Sequence, residues 1–197
     1  MSRLVLASSS AYRAALLSRL SLKFKTASPN VDESQRAGES AAVLVARLAR
    51  AKAWAVALDY PDGLIIGSDQ AAVVMTGDTA VILGKPHTAE RAHAQLLALS
   101  GQRVKFLTSV CLLNAATHAL QLDVVETPVT FRQLTRPEIE RYVELEQPLD
   151  CAGAFKSEGL GIALFESLGG DDPNALIGLP LIALCTMLRA EGVSVLA

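Results

Sequence analysis

No single sign of charge dominates this chain. Its 18 lysines and arginines stand against 20 aspartates and glutamates, giving a net charge of −2. That argues against a binder of nucleic acid polymers, which would normally show a basic face. Any anion site must therefore be a local gathering of positive groups. Cysteine is scarce too. Cys111, Cys151 and Cys185 are an odd count with no CxxC spacing and no histidine cluster to match. They exclude a zinc site and a disulfide framework, and read instead as small buried hydrophobes in a reducing compartment. Long hydrophobic runs are also missing. The opening LVLA is only four residues long, too short for the core of a signal peptide. Asn174 to Leu188, the longest uncharged candidate for a membrane span, is broken by Gly178 and Pro180 and is too short. The expectation is a cytoplasmic protein with no membrane partner.

Several familiar motifs are absent as well. Without GxxxxGK[ST] there is no P-loop, and without GxGxxG after the first strand a dinucleotide-binding reading fails. Ser8, Ser9 and Ser10 lack a GxSxG setting, which weakens a hydrolase nucleophile. His87, His93 and His118 have no catalytic or metal-ligand spacing and are expected to be structural or exposed. There is no repeat, linker or low-complexity tail.

What remains is an ordinary globular composition, 51% hydrophobic and 19% charged, over 197 residues. That length suits one domain, of one lobe or two, spanning 1–197. The pattern predicts a strand at Leu4–Ala7, a helix at Ala11–Leu20 and a strand at Leu22–Ala27. A helix follows from about Ser40 to Leu58, where Leu44, Leu48, Ala51, Ala55 and Leu58 keep helical spacing. Next come a buried strand at Leu64–Gly67 and a hairpin over Ala71–Leu83 turning at Thr76, Gly77 and Asp78. Thr88 opens a helix ending near Gly101. Arg103–Leu134 reads as longer strands with turns near Asn114–Thr117 and at Pro128. Thr135-Arg-Pro-Glu138 is a capping box, so a helix should start there and stop before Pro148. One further strand lies within Ala152–Gly170, and a closing helix covers about Leu179–Ala190. This mixture defines an α/β class.

Some residues sit where chemistry is done. In LVLASSSAYRAALLSRL, residues 4–20, Ser10 suits the N-cap of the helix beginning at Ala11, and a plain cap explains one serine. The same helix end offers unpaired N–H groups that bind phosphate readily. Arg13 lies in the first turn, where the helix dipole disfavours a cation, so an anion accounts for it better than helix stability does. Capped helix and phosphate cradle both stay open. Asp32 and Glu33 form either a solvated loop pair or functional acids. Lys52, four residues after Leu48, stands at the edge of the apolar stripe and either snorkels or reaches a ligand. In LIIGSDQ, residues 64–70, an apolar run ends in polar residues. Asp69 there either starts a turn, or sits at a strand end facing a crevice where it holds a hard metal ion or activates water. Lys85 is set between Gly84 and Pro86, and Lys156 and Glu158 lie in the glycine-bearing loop CAGAFKSEG. Together, Arg13, Lys52 and Lys85 as cations and Glu33 and Asp69 as metal ligands are the kit for a nucleoside triphosphate.

ASSSAYR (7–13), VDE (31–33), Lys52, IIGSDQ (65–70), GKP (84–86), CAGAFKSEG (151–159) and IGLPL (177–181) occur end to end and in order. The set resembles the Maf-like nucleotide pyrophosphatases. GSDQ, FKSEG and DPNALIGLPLIALC are similar to the 7-methyl-GTP pyrophosphatase branch. The resemblance implies an inosine-triphosphate-pyrophosphatase-like α/β fold with an elongated mixed sheet, flanking helices and a cleft between two lobes. It implies hydrolysis of a nucleoside triphosphate to monophosphate and pyrophosphate with Mg²⁺ or Mn²⁺, removing modified nucleotides. By position, Asp69 would be the catalytic base, and Ser8, Ser10, Arg13, Lys52 and Lys85 would hold phosphates. Glu33 would join Asp69 on the metal, and Tyr12, Gln70 and Glu158 would separate substrate classes. Family members are often dimers, although no surface pattern in the sequence shows a homodimer.

Two departures stand out. Ala11 replaces the family's usual proline, loosening the helix start without removing a ligand group. Tyr12 replaces the branch's frequent tryptophan, which weakens base stacking. A 7-methylguanine ring is cationic and suits an aromatic face. Its two edge N–H donors suit a carboxylate such as Glu158, whereas a pyrimidine edge would suit glutamine. The alternatives are a dTTP/UTP pyrophosphatase and a non-catalytic nucleotide-binding regulator of cell division. Retention of every candidate catalytic group weighs against the second.

Overall fold

The computed structural model describes residues 3–77 and 79–196; Asp78, expected in the hairpin turn, lies outside the described residues. In chain order the elements are β1 (Arg3–Ala7), α1 (Ala11–Ser18), β2 (Phe24–Ala27), α2 (Ala41–Ala57), β3 (Gly63–Thr76) and β4 (Thr79–Leu83). They continue as α3 (Ala89–Leu99), β5 (Arg103–Asn114), β6 (Leu120–Phe131), α4 (Arg136–Glu146), β7 (Phe165–Leu168) and α5 (Leu181–Ala190). The strands pair in the order β2-β1-β3-β5-β6-β7, with β4 on β3. β1 runs parallel to β2 and β3, while β4 and β7 pair antiparallel with β3 and β6. The sheet is therefore mixed, as expected. The chain divides into two compact units, one of residues 1–69, 108–125 and 172–197, the other of residues 70–107 and 126–171.

In the first unit β1 and the 63–69 stretch of β3 are buried on both faces, which is why β1 reads as an unbroken apolar run rather than an alternating one. Leu4, Leu6, Leu64 and Ile66 pack with Leu16 and Leu17 of α1 and with Leu184 and Leu188 of α5. Val5, Ala7 and Ile65 point the other way and pack with Ala49, Ala53 and Val56 of α2. The register Ala7↔Gly67 brings the C-terminal end of β1 alongside the LIIGSDQ segment of β3.

The second unit is held by an edge-to-face cluster of Phe106, Phe131, Phe155 and Phe165. The expected capping box is present, with the Glu138 carboxylate accepting from both the N–H and the hydroxyl of Thr135. α4 stops at Gln147, whose left-handed backbone (φ 45°) ends the helix before Pro148.

Three expectations need correction. Leu64–Gly67 and the first arm of the hairpin are one 14-residue strand, β3. It continues through Ser68 and Asp69 because neighbouring groups satisfy their polar atoms. Pro128 makes no turn but lies within β6. Val129 pairs with Leu168, the last residue of β7, and the following Gly169 donates its N–H to the Pro128 carbonyl. Proline is tolerated at such a place, where the ladder is already ending. The buried face of α2 is also rotated from the expected stripe. Leu58 is exposed, and Leu44, Val45, Leu48, Ala49, Lys52, Ala53 and Val56 are buried.

Candidate active site

The serine corner after β1 is tied to itself. Ser8 is buried, and its hydroxyl oxygen accepts the Ser10 N–H at 3.1 Å. Ser10 caps α1 by accepting the Arg13 N–H at 3.4 Å. Both oxygens thus serve the backbone, while each O–H remains a donor for a ligand. The cap reading is correct, and it leaves the phosphate reading standing beside it.

Arg13 donates from Nε to the carbonyl oxygen of Gly178 at 2.8 Å. Burial lowers the pKa of its guanidinium, and the nearby charges of Asp69 and Glu33 oppose that shift. An arginine remains charged under such pressure, so a cation is held close to two acids. The Gly178 carbonyl also accepts from the Ser68 hydroxyl at 2.9 Å. Gly178 has φ +125°, a conformation open to glycine and strained for other residues. Asp172 positions the loop before it by accepting the Asn174 N–H at 2.9 Å and, inside α5, the Ile182 N–H at 2.7 Å.

Lys52 departs furthest from its expected setting. It does not skirt the rim of the core. It lies on the buried face of α2 with 4% exposure, and its Nζ is 2.6 Å from Asp69 Oδ1 and 2.6 Å from Glu33 Oε1. Gly67 makes this possible. A methyl group there would overlap the backbone carbonyl of Ala49, so only glycine lets α2 come down onto β3. Asp69 is buried in mid-strand rather than at a strand end or turn, and its N–H donates to Ser109 Oγ at 3.2 Å. Ser109 in turn donates to the Val45 carbonyl of α2 at 2.7 Å. One hydroxyl therefore ties the Asp69 backbone to the helix that carries Lys52.

The first unit thus brings Ser8, Ser10, Arg13, Glu33, Lys52 and Asp69 into one neighbourhood. Tyr12, half-buried in α1, also belongs to the first unit, whereas Gln70, Lys85 and Glu158 belong to the second. Lys85 is exposed between Gly84, whose carbonyl accepts from Gln95, and the buried Pro86. Gln70 is half-buried at the start of that unit's share of β3, and Glu158 is exposed at a loop tip. That loop is strapped to the end of α4. The Lys156 N–H donates to Tyr142 Oη at 3.0 Å, Lys156 Nζ to the Glu146 carbonyl at 2.7 Å, and the Leu160 N–H to the Glu146 carboxylate at 2.8 Å. Lys156 thereby serves the last turn of a helix, where a cation is favoured.

The Maf-like protein family model matches residues 3–191. The chain belongs to this family. Chains from Pseudomonas putida and Pseudomonas aeruginosa, each named 7-methyl-GTP pyrophosphatase, are 58% and 56% identical to it. The first alignment covers 98% of both chains, the second 99% of this chain and 100% of the relative. A Pseudomonas fluorescens protein of the same name is 57% identical over 96% of this chain and 97% of its own. Among solved structures, the Staphylococcus aureus Ham1 protein aligns with a TM-score of 0.52 at 12% identity, over 96% of this chain and 99% of that one. The likeness gives this Maf-like chain the inosine-triphosphate-pyrophosphatase-like fold expected from its motifs.

No group of three or more His, Cys, Asp and Glu side chains is arranged to hold a metal among the described residues. The Maf-like site instead presents two carboxylates converging on one ammonium. Two hard oxygen ligands suit Mg²⁺ or Mn²⁺, because Mg²⁺ in phosphate chemistry usually takes one or two carboxylates and fills its other positions with water and phosphate oxygens. The ammonium already marks a point where those carboxylates accept a cation, so the residues fit such an ion.

Ser68, Ser109, Asp172 and Gly178 are the supporting residues that sequence reasoning did not single out. The signal for Ser109 was a hydroxyl pair inside an apolar strand. Thr108 and Ser109 are both buried, and both are hydrogen-bonded, Thr108 donating to the Ala175 carbonyl at 2.9 Å. The three cysteines are free. Cys111 is buried, which pushes its thiol up to about 12, whereas Cys151 and Cys185 are only half-buried. No described helix is long and apolar enough to cross a membrane.

Proposed function

We propose that this protein hydrolyses 7-methyl-GTP to 7-methyl-GMP and pyrophosphate with a divalent cation. The observation that carries this reading is the pairing of buried Lys52 with both Asp69 and Glu33, beside Arg13 and the serine corner. The site combines donors for phosphate oxygens with acids for a metal and for a proton. The names of the Pseudomonas relatives supply the base.

In this reading the Ser8 and Ser10 hydroxyls and the Arg13 and Lys52 cations bind the triphosphate, and Lys85 is assigned to the phosphates by its motif position alone. They neutralise charge that builds on the phosphates during cleavage. Asp69 accepts the proton of the water that attacks the α-phosphorus, and the leaving group is pyrophosphate. Glu33 and Asp69 would hold a divalent cation, which when bound would supply Lewis-acid stabilisation of the phosphate oxygens. Tyr12 stacks on the cationic base, while Glu158 and Gln70 select it by its edge.

A nucleotide panel tests the reading. Purified protein with Mg²⁺ or Mn²⁺ should release pyrophosphate from 7-methyl-GTP faster than from GTP, dTTP or UTP. Preference for dTTP and UTP would transfer the chain to the pyrimidine alternative, and absence of pyrophosphate with every nucleotide would favour the non-catalytic regulator.

A further inference from the structure

The doubly paired lysine carries a consequence for metal binding. Lys52 Nζ lies 2.6 Å from one oxygen of Glu33 and 2.6 Å from one oxygen of Asp69. The two carboxylates that would hold a divalent cation are thus already bridged by a cation. The ammonium and a metal ion cannot share that position, since like charges a few ångströms apart repel strongly in a partly desolvated site. The Lys52 side chain is 6% exposed and that of Asp69 12%, so water screens the pair little. A lysine can nevertheless leave, because it is a point charge on a flexible four-carbon stem and needs only new anionic partners. A triphosphate provides them.

We propose that Lys52 is a gate on the metal site. In the nucleotide-free protein its ammonium occupies the place between Glu33 and Asp69, and an arriving triphosphate draws it onto phosphate oxygens and vacates that place. The metal is therefore bound well only together with nucleotide. Lys52 is a positioning residue for the metal as well as a phosphate ligand. The inference rests on the reading that Glu33 and Asp69 hold the divalent cation.

The test is a titration of nucleotide-free protein with Mn²⁺, free Mn²⁺ being read by electron paramagnetic resonance. Lys52→Met and Lys52→Gln should each bind Mn²⁺ about tenfold or more tightly than wild type, because each removes the competing charge. Adding Glu33→Gln to either variant should cancel the gain. Unchanged or weaker Mn²⁺ binding in the folded variants would overturn the gate, as would a gain that survives Glu33→Gln. Circular dichroism checks the fold of each variant. Pyrophosphate release by wild type is measured alongside. Its absence would refute the proposed hydrolysis, whereas normal release with unchanged Mn²⁺ affinity would refute the gate alone.

Discussion

At the scale of single residues, the side chains around Asp69 divide their polar atoms between the protein and the proposed substrate. Arg13 spends Nε on the Gly178 carbonyl, and in the proposed function its terminal nitrogens meet the phosphates, a division that the planar guanidinium allows and a lysine would not. In the proposed function, Glu158 carries the choice of base. A carboxylate accepts both edge N–H groups of 7-methylguanine and offsets the ring's charge, whereas a carboxamide meets one of those N–H groups with its own donor. Glu158→Gln should therefore lower kcat/KM for 7-methyl-GTP by roughly tenfold to a hundredfold and raise the relative rate on dTTP and UTP. Steady-state pyrophosphate release with each nucleotide checks this. An unchanged ranking would remove Glu158 from the base-reading role.

At the scale of elements, the decisive contact is α2 against β3. Gly67, Ala49 and Ala53 are small and buried, and they let the helix approach until Lys52 overlies Asp69. Gly67→Ala should force the helix outward and destabilise the protein by about 1–3 kcal/mol, the usual cost of overpacking. It should also lower turnover by loosening the Lys52–Asp69 pair. A thermal melt with a parallel activity assay checks both, and a variant with wild-type Tm and rate would contradict the close-packing argument. Much of this layer was legible in the sequence. Caps and box chemistry placed the starts of α1, α3 and α4, where Ser10, Thr88 and the Thr135–Glu138 pair do their expected work. The failures share one cause. Ser68 and Asp69 read as a strand end because their polarity is visible, whereas the Gly178 carbonyl and Ser109 hydroxyl that satisfy them come from segments remote in sequence. Lys52 read as a rim lysine for the same reason, since its two carboxylates lie on other segments.

At the scale of the whole molecule, acid should act on both units through the same chemistry. The Glu39 carboxyl, hydrogen-bonded by Arg47 in the first unit, is held at about 2 against an ordinary 4.5. Glu138, hydrogen-bonded by Arg132 and the Thr135 N–H in the second, is likewise at about 2. Each folded value lies below the unfolded one. The stability each contributes is therefore present above about 4.5 and is lost as pH falls from there towards 2. Thermal melts should show Tm dropping across that window. Glu39→Gln and Glu138→Gln should each lower Tm at neutral pH and flatten the acid slope, and slopes parallel to wild type would contradict this. The gathering of remote segments around Asp69 is the larger claim, and it is tested most directly by comparing wild type with Asp69→Asn on 7-methyl-GTP. The account predicts that pyrophosphate release falls by roughly 10²–10⁴-fold in the variant while nucleotide Kd stays nearly unchanged. Release at the wild-type rate would contradict it.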